Sequence, residues 1–128
     1  MNYQRHKSEE SVEDYLETIL ILSRHKAQVR SIDVANELGY SKPSVSVAMK
    51  NLRQKNYVNV SEEGYLSLTG EGLKLAATVY ERHSVISNWL ISLGVDEKIA
   101  VEDACRMEHT MSTESFTAIK NFIIQNQA

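Results

Sequence analysis

The chain has a single proline, Pro43, and it stands four residues after Gly39. Glycine favours the left-handed turn that ends a helix, and proline, which has no N–H, is at home only in a helix's first turn. Residues 31–56 are therefore predicted to form two helices broken by the turn Gly39-Tyr40-Ser41. Ser31 is expected to cap the short helix, Ile32 to Leu38. Ser41 is expected to cap the longer one, which carries Val45, Val47, Met49 and Leu52 and runs to about Asn56.

Upstream, residues 8–26 carry a helical stripe of Val12, Tyr15, Leu16, Ile19, Leu20 and Leu22. Ser8 is the expected N-cap, with Glu9 and Glu10 in the first turn where the helix dipole favours anions. Residues 27–30 read as a connector. Downstream the apolar period shortens. Tyr57–Val60 and Tyr65–Leu68 are β-type runs joined by Ser61-Glu62-Glu63-Gly64, which predicts a hairpin. Thr69 should cap a long helix, about Gly70 to Ser92, with Leu73, Ala76, Ala77, Tyr80, Ile86, Trp89 and Leu90 inside and Gly94 as its stop. Asp96 opens a further helix to about Met111. Ser112 opens the last, with Phe116, Ile119, Phe122 and Ile123 on its apolar side. The order predicts a mainly α chain. A winged helix-turn-helix with a small β-hairpin wing occupies residues 1–70, and a helical domain occupies residues 71–128.

Composition bounds the function. Apolar residues make up 42% of the 128, enough for a core. No run reaches the about 18 apolar residues of a membrane span. The first ten residues lack the apolar centre of a signal peptide, and the lone Cys105 suits a reducing compartment, so a cytoplasmic protein is expected. The net charge of −3 is unevenly spread, with nine Lys/Arg against seven Asp/Glu up to Tyr57 and five against ten beyond it. The N-terminal part can thus face phosphates while the rest repels them.

Ser41, Lys42, Pro43, Ser44 and Ser46 lie at or near the start of the second helix of the pair, the part that approaches base edges in such motifs. Lys50, Arg53 and Lys55 are placed to meet phosphates. A helical bundle with a solvated basic face would show the same residues. Glu62 and Glu63 at the hairpin tip argue against a wing that grips the DNA backbone.

Cys105, Glu108 and His109 are spaced i, i+3 and i+4 on a predicted helix, so a thiol, a carboxylate and an imidazole project from one face. Asp14 and Glu17 are three apart on the first helix, and the long helix offers His83. Such a nitrogen, oxygen and sulfur mixture suits a divalent transition metal better than calcium or magnesium. Taken singly, these residues also fit a solvated acidic face, a hydrogen-bonded histidine and a small buried thiol.

Ser11-Val12-Glu13-Asp14-Tyr15-Leu16-Glu17, Ser41-Lys42-Pro43-Ser44-Val45-Ser46, Leu68-Thr69 with Gly72, Arg82-His83 and Ala104-Cys105-Arg106-Met107-Glu108-His109 together resemble the diphtheria toxin repressor / manganese transport regulator family over roughly residues 8–115. The resemblance implies a homodimeric, cytoplasmic repressor of metal-uptake genes that binds operator DNA when Mn(II) or Fe(II) is abundant. It also implies that Asp14, Cys105, Glu108 and His109 form the main metal site, with Glu17 and His83 at a second position. The chain is a hybrid. Asp at 14 is the manganese-sensing choice and Cys at 105 the iron-sensing one. Ser87 and Val101 replace two ancillary ligands of the iron-sensing branch, and the sequence stops before that branch's C-terminal SH3-like domain. Dimerisation is further expected from Val95, Ile99, Ala100 and Met107, which have few obvious partners inside so short a chain. An alternative is a winged-helix regulator that answers to an organic ligand or to Cys105 oxidation. An enzyme built on Cys105 and His109 is disfavoured, because the sequence supplies no oxyanion hole or glycine-rich phosphate loop.

Overall fold

The computed structural model describes the backbone of residues 3–126 and the side chains of residues 11–126. The order is α1 (Tyr3–His25), β1 (Val29–Arg30), α2 (Ser31–Leu38), α3 (Lys42–Gln54), β2 (Val58–Val60), β3 (Tyr65–Leu68), α4 (Gly70–Ser92), α5 (Glu97–Thr110) and α6 (Thr113–Gln125). The residues fall into two compact units, Lys7–Ala77 in one and residues 3–6 with those from Thr78 onward in the other, so the divisions lie within α1 and α4.

The first unit is the winged helix-turn-helix. Its core joins Leu16 and Ile19 of α1, Val34 and Ala35 of α2, Val45, Met49 and Leu52 of α3, and Val58 and Leu66 of the sheet. Each fully buried leucine or isoleucine contributes roughly 1.5–3 kcal/mol. Gly39 ends α2 at φ 71°, and Tyr40 N–H donates to the Ala35 carbonyl at 3.1 Å. The Ser41 hydroxyl accepts from Ser44 N–H at 3.3 Å to open α3. The helix stops at Gln54, two residues before the expected Asn56. Asn56 adopts a left-handed φ of 66°, and Tyr57 N–H reaches back to the Leu52 carbonyl at 2.9 Å.

Four expectations about local structure need correction. Helix α1 begins at Tyr3, so Ser8 lies within it and is not its cap. The N-cap of α2 is Arg30 rather than Ser31, and the Asp33 carboxylate accepts from Arg30 N–H at 2.9 Å. The connector 27–30 contains a third strand, β1, which pairs antiparallel with β3 (Val29 opposite Leu66, Arg30 opposite Tyr65) and makes β3 central in the order β1-β3-β2. Two residues are too few to show a period of two. On α4, Leu73 is 48% exposed and Ala77 is also exposed; Gly72 and Val79 face inward with the expected Ala76.

Gly72 explains this rotation. A Cβ there would lie 2.0 Å from the Tyr57 carbonyl oxygen, so only glycine lets α4 start this close to the base of the hairpin. The Thr69 hydroxyl fastens the same corner, donating to the Asn56 carbonyl at 2.7 Å and accepting from Gly72 N–H at 3.0 Å.

The second unit is helical. Ile86, Ala104 and Phe116 form its core, with Val85, Leu90, Met107 and Met111 packed around them. Gly94 (φ 99°) ends α4, and the side chains of Asp96 and Ser112 cap α5 and α6. Ala100, expected on an outer face, is fully buried, and Met107 belongs to the core; Ile99 is exposed. On α6, Phe116 points inward but Phe122 is 58% exposed.

Gly72→Ala should cost more than about 2 kcal/mol in urea denaturation, because backbone must move. Gly70→Ala, whose Cβ would meet nothing within 4 Å, should change stability by no more than about 1 kcal/mol. Equal midpoints for the two variants would refute the close approach.

Candidate metal centre and nucleic-acid interface

Glu108 is fully buried in the second unit. A carboxylate without water must find donors or lose its charge. His83 Nδ1, from α4, lies 3.0 Å from Glu108 Oε2. His109 Nε2 lies 3.3 Å from Oε1, an ion-pair distance without hydrogen-bond geometry, so Oε1 is a buried oxygen that still has lone pairs to offer. Burial alone would raise the Glu108 carboxyl. The imidazoles of His109 and His83 outweigh it and hold the carboxyl below its ordinary value. Cys105 stands one turn earlier on α5 and is exposed, which removes the reading of it as a small buried hydrophobe. Its Sγ, a Glu108 oxygen and a His109 ring nitrogen lie within 4.8 Å of one another.

The fold thus brings Cys105, Glu108, His109 and His83 together inside one unit. Asp14 and Glu17 belong to the other, one turn apart on α1 and half-buried. Two imidazoles, an anionic carboxylate and a thiol form a donor set suited to a divalent transition metal.

The exposed side of α3 has a different chemistry. Lys42, Ser46, Lys50 and Arg53 fall at i, i+4, i+8 and i+11, along one stripe, and all are exposed, as are Ser41, Pro43 and Ser44. The buried stripe of Val45, Met49 and Leu52 runs beside it and anchors the helix. One residue of this surface was missed in the sequence reading. Val47 is 60% exposed, an apolar side chain on a cationic face. Its apolar character placed it with the core, although its position in the helix is two residues from Val45 and therefore turned well away.

Residues 8–66 match the family model described as "Iron dependent repressor, N-terminal DNA binding domain". Residues 69–127 match "Iron dependent repressor, metal binding and dimerisation domain". The chain is 38% identical over 113 residues to the transcriptional regulator MntR of Escherichia coli O6:H1, covering 88% of this chain and 73% of that one. The chain belongs to the iron-dependent repressor family. Another relative, described as an uncharacterized HTH-type transcriptional regulator of Methanocaldococcus jannaschii, is 33% identical over 116 residues, covering 89% of this chain and 93% of the other. The solved structure of the manganese regulator SloR superposes with a TM-score of 0.78 at 28% identity, covering 88% of this chain and 53% of that one. Like other iron-dependent repressors, the chain is a metal-dependent transcriptional regulator with a DNA-binding domain followed by a metal-binding and dimerisation domain.

A carboxyl held below its ordinary value stabilises the fold above that value and loses this contribution as the pH falls through it. Metal-free protein should therefore lose stability as the pH falls below the ordinary glutamate value of about 4.3, and Glu108→Gln should lose less on the same acid limb. Identical acid limbs in urea titrations of the two proteins would show that Glu108 is not held anionic.

Proposed function

We propose that this chain represses transcription of metal-uptake genes in the cytoplasm, as a homodimer that grips operator DNA when Mn(II) or Fe(II) is bound. The observation that carries the reading is the buried Glu108 carboxylate, flanked by two imidazoles and a thiol, within the domain that matches the family's metal-binding region. Cys105, Glu108 and His109 would hold the ion from α5. The family resemblance adds Asp14 to this set and gives Glu17 and His83 a second position. The bound cation would supply positive charge for its donors to share. Asp14 is a hard oxygen donor that favours Mn(II), whereas Cys105 is a softer one that favours Fe(II).

The rest of the mechanism belongs to the chain. Lys50 and Arg53 neutralise phosphates, and Ser41, Lys42, Pro43, Ser44 and Ser46 bring the start of α3 to the base edges. Val47 adds an apolar surface able to meet a thymine methyl group. The acidic wing tip, Glu62 and Glu63, stays clear of the backbone. Two copies must present their α3 helices about one DNA turn apart, about 34 Å or a multiple. Ile91, Leu93, Ile99, Val101, Phe122 and Ile124 leave apolar surface exposed on the second unit, which supports a second copy covering part of it. Metal binding that favours the DNA-competent spacing of the two α3 helices, typically by about 1–3 kcal/mol, requires operator DNA to tighten metal binding by the same factor.

Metal-stripped protein should bind operator DNA poorly and recover with Mn(II) or Fe(II). Glu108→Ala and His109→Ala should abolish the recovery, and Cys105→Glu should shift preference toward Mn(II). DNA binding indifferent to chelator would favour the alternative regulator that answers to an organic ligand or to Cys105 oxidation. Lys50→Ala and Arg53→Ala should each weaken binding across all sequences and lower the salt slope by about 0.9. An unchanged slope would remove these residues from the phosphate contacts.

A further inference from the structure

Arg82 precedes His83 on α4, and the metal reading gives it no task. Its Nη1 donates to the Glu108 carbonyl at 3.1 Å and to the Met111 carbonyl at 2.8 Å. Its Nη2 donates to the Thr113 hydroxyl at 3.2 Å, and the guanidinium carbon lies 5.4 Å from the Phe116 ring centroid. The Glu108 carbonyl is among the last four of α5, which have no donor within their own helix and carry the negative end of its dipole. A planar cation fits this place, because its separate N–H groups can serve two carbonyls and a hydroxyl at once.

Consecutive residues of α4 therefore hold Glu108 at both ends. His83 takes its carboxylate and Arg82 its backbone carbonyl. We propose that Arg82 is a positioning residue for the metal centre: by pinning the end of α5 to α4 and α6, it fixes where the Glu108 carboxylate and the His109 ring stand. It does so without occupying a ligand atom. This rests on the metal reading above. A plain helix cap would contribute stability alone; a positioning residue must also change how the ion is held.

The test uses the full chain and compares Arg82→Met and Arg82→Lys with Ile86→Val, which loosens the same buried core, Met107 and Met111 included, without removing a hydrogen bond. Stability is read by urea denaturation of metal-free protein, Mn(II) affinity by electron paramagnetic resonance of the free ion, and ligand geometry by the visible absorption of bound Co(II). Arg82→Met should bind Mn(II) about 10- to 100-fold more weakly, the scale seen when residues supporting metal ligands are removed, and should alter the Co(II) spectrum. Arg82→Lys should fall between it and the parent. Ile86→Val should lose stability but keep the parent's affinity and spectrum. The proposal is overturned if Arg82→Met keeps both, or if Ile86→Val loses affinity equally. Should Arg82→Met not fold, Arg82→Lys decides by the same criteria. A parent chain that binds neither Mn(II) nor Co(II) overturns the metal reading itself and this proposal with it, a result distinct from a binding parent indifferent to residue 82.

Discussion

A carboxylate shut away from water is stable only in the company it keeps, and the second unit is arranged around that of Glu108. His83 reaches it from α4, His109 lies beside it on α5, and its second oxygen is buried without a hydrogen bond. Removing one partner of such a group leaves charge or lone pairs stranded, which is costlier than never having buried them. The second oxygen of Glu108 keeps lone pairs that a further electropositive partner could meet. Its burial, more than the mere presence of acidic and imidazole side chains, separates the site from the solvated acidic clusters common on protein surfaces.

The first unit answers to a different constraint. Its reading helix must offer charge and small hydroxyl groups outward while being held rigidly from behind. Val45, Met49 and Leu52 do the holding, and Lys42, Ser46, Lys50 and Arg53 occupy the free side. The charge of the chain is divided likewise, with Lys and Arg in excess up to Tyr57 and Asp and Glu in excess beyond it.

Much of this was legible in the residues. Gly39 and Pro43 mark a helix end and a helix start that few other residues can serve, and Gly94 and Ser112 punctuate equally clearly. The spacing of Cys105, Glu108 and His109 also defines one face of a helix whatever the tertiary structure. What stayed hidden depends on partners distant in sequence. Strand β1 is two residues long and exists because β3 offers an edge. The inward face of α4 turns on how closely Gly72 can approach Tyr57, which no local pattern records. Ala100 is grouped with Ile99 and Met107 in the sequence because no nearby residue is an obvious partner, yet it is fully buried while Ile99 is exposed. The double hold on Glu108 joins residues 25 and 26 positions apart, from two helices, and no spacing rule spans that gap.

The root of the hairpin has a bearing on how this protein adapts to its target. The Tyr57 carbonyl accepts from Thr69 N–H at 3.0 Å and faces the bare α-carbon of Gly72, while the Thr69 hydroxyl bonds Asn56. Both legs of the wing are thus clamped where they leave the body. The tip is tied as well, with Ser61 N–H donating to the Tyr65 carbonyl at 2.9 Å and Gly64 N–H to the Ser61 carbonyl at 3.0 Å. Under the proposed function, a wing braced at root and tip and ending in two glutamates would leave discrimination among operators to α3.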